Sequence, residues 1–318
     1  MPQKILLIPN MPFWSVDKCA KDLIKYNKSD LVIDVMYFNE FIDNWEKISV
    51  KYDLIYPMVN KLFYDFLARN IPVNKAITGV LSYTSWDNQK TLPPGNNVKP
   101  PKSDIKKLRK AAGVNTICRK LWDLFSPHIP IVHTKYTCDL EKFYPDKFIK
   151  NRKLVVGWAG SLTNNGLIRG VHDIIKPVCS RFDEIDLKVQ CVEEMWIKDD
   201  DIMREFYNSL DLYICASKSE GAPRPVLEAA ACGVPTLSVD VGIVPELIEN
   251  NVNGFIVERT QEAFFNKLKY IIKNKDMLPE MGMKVREKME KEFNWKNIIH
   301  QWTDFFKKAI KLRHWEEK

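Results

Sequence analysis

The sequence predicts an α/β protein with two doubly wound domains, each built on a parallel sheet. The chain has 318 residues, more than a single domain usually holds. Short β-branched runs alternate with amphipathic segments along nearly its whole length, which is typical of a parallel sheet covered by helices. The alternation occurs in two series, one on each side of a polar stretch, so we predict two such domains facing a cleft.

The first series predicts a domain over residues 1–138. Its strands are predicted in "KILLIP", "LVIDVMYF", "YDLIYPM", "KAITGVLSY", "VNTIC" and "IPIVHTKY". One helix is predicted after Ser15, where apolar residues repeat at helical spacing, and another around Leu121. The stretch "TLPPGNNVKPPKS" is rich in proline and glycine and predicts a surface loop.

The second series predicts a domain over residues 154–294, after a polar, aperiodic linker at 139–153. Its strands are predicted in "KLVVGWAG", "DLKVQCV", "LDLYICAS", "VPTLSVD" and "NGFIV". Helices are predicted from about Val171 to Phe182, from about Asp201 and near Val244. Residues 295–318 form a last helix with one broad apolar face. That face needs a partner surface, and core packing is favoured over contact with a membrane.

Composition and charge narrow the class of protein. With 45% hydrophobic and 28% charged residues, the chain is typical of globular proteins, and it has no apolar run of membrane-span length. Seven cysteines without a CxxC pair predict a reducing cytoplasm. The net charge of +7 suits an anionic partner. It is too diffuse to predict nucleic-acid binding, whereas the basic terminus leaves peripheral contact with the inner face of a membrane open.

One segment of the second series carries two glutamates at a turn between a predicted strand and a predicted helix. "SEGAPRPVLEAAACGVP", residues 219–235, comes soon after the strand "LDLYICAS". In an open parallel sheet, ligands bind where loops leave the carboxyl ends of strands, and the next helix presents unpaired N–H groups to an anion. We predict that this helix begins near Arg224 or Pro225, because proline suits a first helical position.

The residue types around this turn suit a sugar that is linked to a diphosphate. Gly221 and Ala222 allow close approach of the backbone, and Arg224 adds a planar cation suited to phosphate. Glu220 and Glu228 would accept hydrogen bonds from sugar hydroxyls, one from a ribose and the other from the transferred sugar. Two glutamates at this spacing also occur by chance on solvated surfaces, but the surrounding strand, turn and helix favour a binding site.

The motif "EGAPRPVLEAAACGVP" resembles the retaining glycosyltransferases of the group 1 family, also called family 4. Their hallmark is Glu, seven residues and Glu, followed by Ala, a small residue, Gly and Pro. Further similar stretches are "GIVPELIENNVNGFIV", "VVGWAGSLTNNGLIRGVHDII" and "IPIVHTKYTCDLEKFYP". Two departures are Ala222-Pro223, where the family commonly has an aromatic-glycine pair, and "NMPFWSVD", where it has a Gly-Gly loop.

The resemblance implies the GT-B fold, in which two Rossmann-like domains face a cleft and the final helix packs back toward the N-terminal domain. It implies that Glu228 accepts from ribose hydroxyls and Glu220 from the donor sugar. Backbone N–H groups of Val226 and Leu227 would meet the diphosphate. Three residues would approach the diphosphate from the facing loop: Gly160, Ser161 and Arg169. Arg169 stands where the family usually has lysine and would offset the charge of the departing nucleoside diphosphate.

The first domain offers one further candidate pair, in "GVLSYTSWDNQK". Trp86 and Asp87 are predicted in a loop at the carboxyl end of a strand, facing the cleft. Trp86 would stack on a sugar ring, and Asp87 would orient an acceptor hydroxyl or assist its deprotonation. An ordinary turn with an Asp cap is an equally good interpretation of these two residues.

Other chemically suggestive residues are better explained structurally. Asp199 to Asp201 suggest a metal site, but a helix cap fits them better, and we predict no bound metal. His172 is interpreted as a helix-face residue near the Arg169 loop, and Cys232 as a small core residue.

We therefore predict a retaining hexosyl- or related glycosyltransferase that takes its sugar from a nucleotide-sugar, with UDP- and GDP-sugars favoured, and needs no other cofactor. The acceptor would be a saccharide, a lipid-linked molecule or another hydroxyl compound. Two alternatives stay open: an epimerase or phosphorylase of the same fold, and a nucleotide-sugar-binding protein without turnover. The sequence predicts no oligomeric state.

Overall fold

The computed structural model describes residues 2–82, 99–146, 153–162, 166–191 and 199–316. The chain divides into two compact units. Among the described residues, the first unit contains those up to 137 together with 295–316, and the second contains those from 138 to 294.

All six strands predicted for the first series are present. They are β1 (Lys4–Ile8), β2 (Val32–Val35), β3 (Leu54–Pro57), β4 (Ile77–Val80), β5 (Gly113–Thr116) and β6 (Val132–His133). They pair in parallel in the orders β2-β1-β3 and β4-β5-β6, and a parallel bridge between Ile55 and Ala76 links the two groups. The chain leaves β1 toward β2 and then crosses to β3, so the strand order reverses between β1 and β3.

Helices connect these strands. They are α1 (Ser15–Tyr26), α2 (Phe38–Asp43), α3 (Trp45–Ser49), α4 (Asn60–Ala68), α5 (Lys102–Leu108) and α6 (Arg119–Phe125). Helices α1 and α6 confirm the two helices predicted for this series, whereas the four between them were not predicted. The spacing of Leu62, Phe63 and Phe66 could have revealed α4, because these side chains form one buried face that packs on Leu6 and Ile55.

The last helix, α14 (Trp295–Glu316), belongs to the first unit. Trp295 and Trp302 are fully buried, and their indole N–H groups donate to Asp22 Oδ2 at 3.3 Å and to the Lys135 carbonyl at 2.9 Å. The apolar face of this helix therefore packs in the core, as favoured from the sequence. No helix in the described ranges has a long enough apolar stretch to cross a bilayer.

The second unit has one parallel sheet in the order β11-β10-β9-β7-β8. Its strands are β7 (Leu154–Gly160), β8 (Ile185–Cys191), β9 (Leu212–Cys215), β10 (Thr236–Ser238) and β11 (Gly254–Ile256). Its helices are α7 (Gly166–Arg169), α8 (Lys176–Cys179), α9 (Asp200–Asn208), α10 (Arg224–Ala231), α11 (Val244–Leu247), α12 (Gln261–Lys273) and α13 (Leu278–Glu292). A π-helical turn, Val171–Ile175, precedes α8, and a 3-10 turn, Lys275–Met277, precedes α13. These elements confirm the predicted alternation.

The segment predicted as a linker is packed against the second unit as far as Asp146. The rings of Phe143 and Tyr207 lie 6.1 Å apart, and the Asp146 N–H donates to Asn208 Oδ1 at 2.8 Å. The polar composition of this segment did not predict the packing, because few of its residues are apolar, and Phe143 is one of those that make the contact.

Candidate active site

The sheet of the second unit has its strand-order reversal between β7 and β9. The chain leaves β7 toward β8 and then crosses to β9 on the other side of β7. Because the strands are parallel, the loops that follow β7 and β9 emerge at the same edge of the sheet and lead away in opposite directions. Open α/β sheets bind ligands at such a point. These two loops, together with the helices that follow them, contain most of the site residues predicted from the sequence.

The loop after β7 returns to pack tightly on the end of β9. Gly170 has φ +79°, and a Cβ atom there would lie 2.4 Å from the Ala216 carbonyl oxygen. The Lys218 N–H donates to the Ile168 carbonyl at 2.8 Å. Glycine is required at position 170 because any side chain would separate the two loops.

This packing brings Arg169 and Glu220 together as an ion pair. The guanidinium is 32% exposed and the carboxylate 13% exposed. Burial lowers the pKa of the Arg169 guanidinium, and the neighbouring Cys215 and Tyr213 oppose that shift. The two residues predicted to act on the donor from opposite loops are thus in contact at the strand-order reversal.

The loop after β10 supports the turn that carries Glu220. Gly242 has φ +50°, and a Cβ atom at this position would lie 2.1 Å from the Gly221 carbonyl oxygen. That carbonyl accepts a hydrogen bond from the Ile243 N–H at 2.8 Å. The backbone around Gly221 is therefore held by a neighbouring loop as well as by its own helix.

Helix α10 begins at Arg224, which confirms the start predicted from Pro225. Arg224 and Glu228 lie one turn apart on its buried side, and Arg224 Nε donates to Glu228 Oε1 at 2.7 Å. Tyr207, on α9, donates its hydroxyl to Glu228 Oε2 at 2.8 Å. Each carboxylate oxygen of Glu228 therefore has an internal partner, and lone pairs remain on both oxygens for further donors.

Burial controls the chemistry of the aromatic groups beneath this helix. It raises the pKa of Tyr207 well above the ordinary value, and the negative charge of Glu228 raises it further. Burial likewise raises the pKa of Tyr213, whose hydroxyl lies 3.2 Å from both the N–H and the carbonyl of Ala159. Both phenols stay neutral, so Tyr207 acts as a fixed hydrogen-bond donor to Glu228.

Gly160 and Ser161 lie at the carboxyl end of β7, as predicted. Gly160 has φ +154°, and a Cβ atom there would lie 2.9 Å from the Trp158 ring. Leu227 lies in the first turn of α10. The Val226 N–H donates to the Pro223 carbonyl at 3.0 Å, so a diphosphate would have to share or replace that bond.

The structure describes some, but not all, of the other residues singled out in the sequence. Trp86 and Asp87 lie outside the described residues. His172 is exposed on the π-helical turn, and Cys232 is buried at the end of α10, where burial and then Glu228 raise its pKa to about 12. Asp199 caps α9 by accepting from the Asp201 N–H at 2.8 Å, which confirms the cap interpretation.

The described ranges contain no group of three or more histidine, cysteine, aspartate or glutamate side chains that could hold a metal ion. All seven cysteines are free and buried.

Two residues that hold the site in place were not predicted from the sequence. Tyr207 is one, although a buried Glu228 implies a donor of this kind. Arg259 is another: its Nε donates to the Ala216 carbonyl at 2.8 Å and its Nη2 lies 2.9 Å from Asp173 Oδ2. Arg259 thus links the end of β9 to the turn after Arg169. Local sequence patterns do not predict such a long-range contact.

These features define the class of the molecule: a protein of two doubly wound α/β units whose second unit has an anion-compatible helix start and an Arg–Glu pair at its strand-order reversal. Comparison with known proteins supports the same class for the second unit. Residues 184–292 match the family model described as glycosyl transferases group 1. The resemblance stated from the sequence is confirmed for this region, which includes Glu220, Arg224 and Glu228.

Solved structures with the same architecture confirm the GT-B fold. Sucrose-phosphate synthase from Thermosynechococcus elongatus has a TM-score of 0.76 at 13% identity, covering 97% of this chain and 99% of its own. HepE from Anabaena, in complex with UDP and glucose, has a TM-score of 0.70 at 14% identity, covering 95% of this chain and 98% of its own.

Sequence relatives match over shorter stretches. N-acetyl-alpha-D-glucosaminyl L-malate synthase of Bacillus anthracis is 24% identical over 166 residues, 46% of this chain and 44% of the relative. O-antigen biosynthesis glycosyltransferase WbnH of Escherichia coli is 37% identical over 104 residues, 33% of this chain and 28% of the relative. The matched region thus spans less than half the length of either relative.

Proposed function

We propose that this protein is a retaining glycosyltransferase that moves a sugar, such as a hexose, from a nucleotide-sugar to a hydroxyl acceptor. The observation that carries the proposal is the Arg169–Glu220 pair beside the start of α10, at the strand-order reversal of a unit that matches the family model. A cation, a helix start and a carboxylate that can accept from hydroxyls are the groups that a sugar diphosphate requires.

The donor's diphosphate would lie against the turn at Gly221 and Ala222 and the first turn of α10. Gly160 and Ser161 would approach it from the loop after β7, and Leu227 would offer its backbone N–H. The helix start carries partial positive charge, so it favours an anion there. The buried Arg224 guanidinium adds to the positive potential while remaining bonded to Glu228.

The two glutamates would hold the rings at the ends of the diphosphate. Glu220 would accept from hydroxyls of the transferred sugar, which requires that it exchange part of its contact with Arg169 for the donor. Glu228 would accept from the ribose through the lone pairs that Arg224 and Tyr207 leave available. Because the structure of HepE contains UDP and glucose, a UDP-sugar is the first donor to test, followed by a GDP-sugar.

In the reaction, the bond from the anomeric carbon to the diphosphate oxygen breaks, and a bond from that carbon to the acceptor oxygen forms on the same face. The electron pair of the broken bond remains on the nucleoside diphosphate, and Arg169 offsets the added charge. The acceptor hydroxyl loses its proton, a step for which Asp87 stays the sequence-based candidate. The acceptor would be a saccharide, a lipid-linked molecule or another hydroxyl compound, and the cytoplasm is the expected location.

The proposal is tested by incubating the protein with UDP- and GDP-sugars and a panel of saccharide and lipid-linked acceptors, followed by mass analysis of the products. Glu220→Ala and Arg169→Ala should each lower the transfer rate by about 10²–10³-fold while the fold survives. Glu249→Ala, at an exposed position of the same unit, is the control and should keep the wild-type rate. Wild-type rates in both site variants, or isomerised or phosphorolysed sugar as the only product, would contradict the proposal.

A further inference from the structure

Helix α5 and the chain around it carry most of the positive charge of the protein. Residues 99–125 contain eight lysines and arginines but only two acids, Asp104 and Asp123, so they supply +6 of the net charge of +7. Six of these cations lie in residues 99–110, and all six are exposed. The one acid of that shorter stretch, Asp104, is buried. The charge that looked diffuse along the sequence is therefore concentrated on one part of the first unit.

Three of these lysines form a row along α5, here named the α5 lysine row. Lys102, Lys106 and Lys110 follow one another at intervals of four residues, with Lys110 just beyond the end of the helix. Side chains at this spacing lie on one face of a helix, and the row extends over about 12 Å. Within the described ranges, the side chains of these three lysines make no ion pair or hydrogen bond.

The other two cations of the helix and its end differ, because they contact the protein. Lys107 lies one turn after Asp104, and its Nζ is 4.5 Å from the centre of the Tyr64 ring. Arg109 donates from Nη2 to the His128 carbonyl at 3.0 Å. These two side chains support the packing of α5, whereas the α5 lysine row is directed to solvent.

The helices before and after α5 in the chain do not neutralise the row. Each carries or adjoins two cations and one acid, so each is net positive. The residues are Lys61, Arg69 and the half-buried Asp65 for α4, and Arg119, Lys120 and the exposed Asp123 for α6. The acids therefore offset only part of the positive charge on this side of the first unit.

The α5 lysine row starts at the edge of the first sheet where ligands are expected. Helix α5 lies between the parallel strands β4 and β5 in the chain, so it begins at the edge where the strands end. Open α/β sheets bind ligands at this edge. Lys102 is the first residue of the helix, and Lys110 lies three residues before β5, toward the opposite edge. The row thus leads away from the ligand-binding edge.

We propose that the α5 lysine row binds an anionic saccharide chain, which is the acceptor of the transfer reaction. This inference rests on the proposed function, which requires a hydroxyl acceptor, and it narrows that acceptor to a chain with repeated carboxylate or phosphate groups. Such a chain would place successive anionic groups over Lys102, Lys106 and Lys110. Its end would then lie at the edge where the sheet binds ligands.

The composition of this surface favours a saccharide over other polyanions. Surfaces that bind single-stranded nucleic acid combine cations with aromatic side chains on which bases stack, and surfaces that dock on bilayers combine cations with apolar side chains that enter the lipid. In residues 99–125, which the structure describes completely, no large apolar or aromatic side chain is exposed. Charge alone suits a chain whose rings carry hydroxyls and anionic groups.

The test is calorimetric binding of oligogalacturonate, which has a carboxylate on every sugar, and of a neutral maltooligosaccharide of the same length to the full-length protein. The wild type should bind oligogalacturonate at least tenfold more tightly, and high salt should remove the difference. Lys102→Gln combined with Lys106→Gln and Lys110→Gln should lower the affinity for oligogalacturonate at least tenfold, since an exposed ion pair contributes up to about fivefold. Glutamine keeps the helix propensity of lysine, so α5 should persist.

A matched control removes the same charge elsewhere in the first unit. Lys28→Gln combined with Lys308→Gln and Lys311→Gln changes three exposed lysines outside the α5 lysine row and should bind oligogalacturonate as the wild type does. The proposal is overturned if the wild type does not bind oligogalacturonate, if it binds the neutral chain equally well, or if the two triple variants lose the same affinity. Tighter binding of phosphatidylglycerol vesicles or of single-stranded DNA, lost in the row variant, would also overturn it.

Transfer assays separate this inference from the proposed function. The row variant should raise the KM for anionic acceptors at least tenfold and leave UDP binding to the second unit unchanged. If sugar is transferred but neutral acceptors are preferred, the acceptor assignment fails and the proposed function stands. If oligogalacturonate binds the row but no sugar is transferred to any acceptor, the proposed function fails and the row keeps only its binding role.

Discussion

Glu228 is the residue on which local stability of the second unit depends most clearly. It shares a buried ion pair with Arg224 and a hydrogen bond with Tyr207, and both side chains of the ion pair are at most 7% exposed. Such a pair contributes little net stability compared with apolar packing, but removal of one partner leaves the other charge buried without compensation.

We therefore predict that Glu228→Gln lowers the free energy of unfolding by about 3 kcal/mol, because Arg224 loses its counter-charge. Tyr207→Phe should lower the free energy of unfolding by about 1.5–3 kcal/mol, because it removes one buried hydrogen bond to a charged group. Urea unfolding measures both. Glu287→Gln breaks the exposed Glu287–Lys291 pair at the same helical spacing and should leave the free energy of unfolding close to that of the wild type, because solvent screens an exposed pair. Equal losses in Glu228→Gln and Glu287→Gln would show that the buried pair has no special cost.

His133 makes the stability of the first unit depend on pH. Burial first, and then the charges of Arg119 and Lys135, lower its pKa from 6.5 to about 4. Between these two values the unfolded chain binds more protons than the folded chain, so stability falls as the pH falls through that window.

The expected loss from His133 between pH 7 and pH 4 is on the order of 2 kcal/mol, because the side chain is only partly shielded from solvent. The measurement is urea unfolding of the wild type and His133→Gln at several pH values. Carboxylates contribute equally to both proteins, so the difference between their pH slopes reports His133. Parallel slopes would mean that His133 keeps its ordinary pKa in the folded state.

At the level of elements, loops from three neighbouring strands determine the site, and glycines allow them to touch. The end of β9 packs directly against Gly170, and the turn at Gly221 packs directly against Gly242. Neither contact tolerates a Cβ atom, since each would lie within 2.4 Å of a backbone carbonyl oxygen. The position of Glu220 therefore depends on loops that follow β7 and β10 as well as on its own.

Gly242→Ala should weaken nucleotide binding at least tenfold, because the new methyl group displaces the backbone at Gly221. Gly233→Ala is the matched control: Gly233 also has a left-handed backbone, φ +73°, but its nearest neighbour for a Cβ atom is a Pro145 side-chain carbon at 3.3 Å. Both variants should lose about 1 kcal/mol of stability from backbone strain, and calorimetry should show that only Gly242→Ala loses affinity. Equal affinities would mean that the β10 loop does not position the site.

At the level of the whole molecule, the alternation of strands and helices was predictable because each strand is a short run with β-branched residues, and most of these runs are buried. All the strands that the sequence predicts are present, and the start of α10 at Arg224 follows from Pro225. The short helices α2 and α3 were not predicted, since segments of six and five residues are too short to show a helical period.

The sequence allowed most of the site residues to be named, but it did not predict how they contact one another. The Glu, seven residues, Glu motif predicted that Glu220 and Glu228 lie beside the same helix. The parallel order of the strands predicted that Arg169 lies at the same edge of the sheet. The direct Arg169–Glu220 contact, the Tyr207 bond to Glu228 and the Arg259 link to Ala216 each join residues that are 21 or more positions apart. Local periodicity contains no information about such pairs, because the packing of whole elements creates them.

Calorimetric binding of UDP and of a UDP-sugar, or of the corresponding GDP compounds, is the most direct test of a donor site at Arg169, Glu220 and the start of α10. Arg169→Gln should weaken both ligands, because both carry the diphosphate. Glu220→Gln should weaken only the nucleotide-sugar and leave UDP binding equal or tighter, because it frees Arg169 from its counter-charge while removing an acceptor for the sugar hydroxyls. If Glu220→Gln weakens UDP and the UDP-sugar equally, or if neither variant changes binding, the donor does not lie where this structure places the pair.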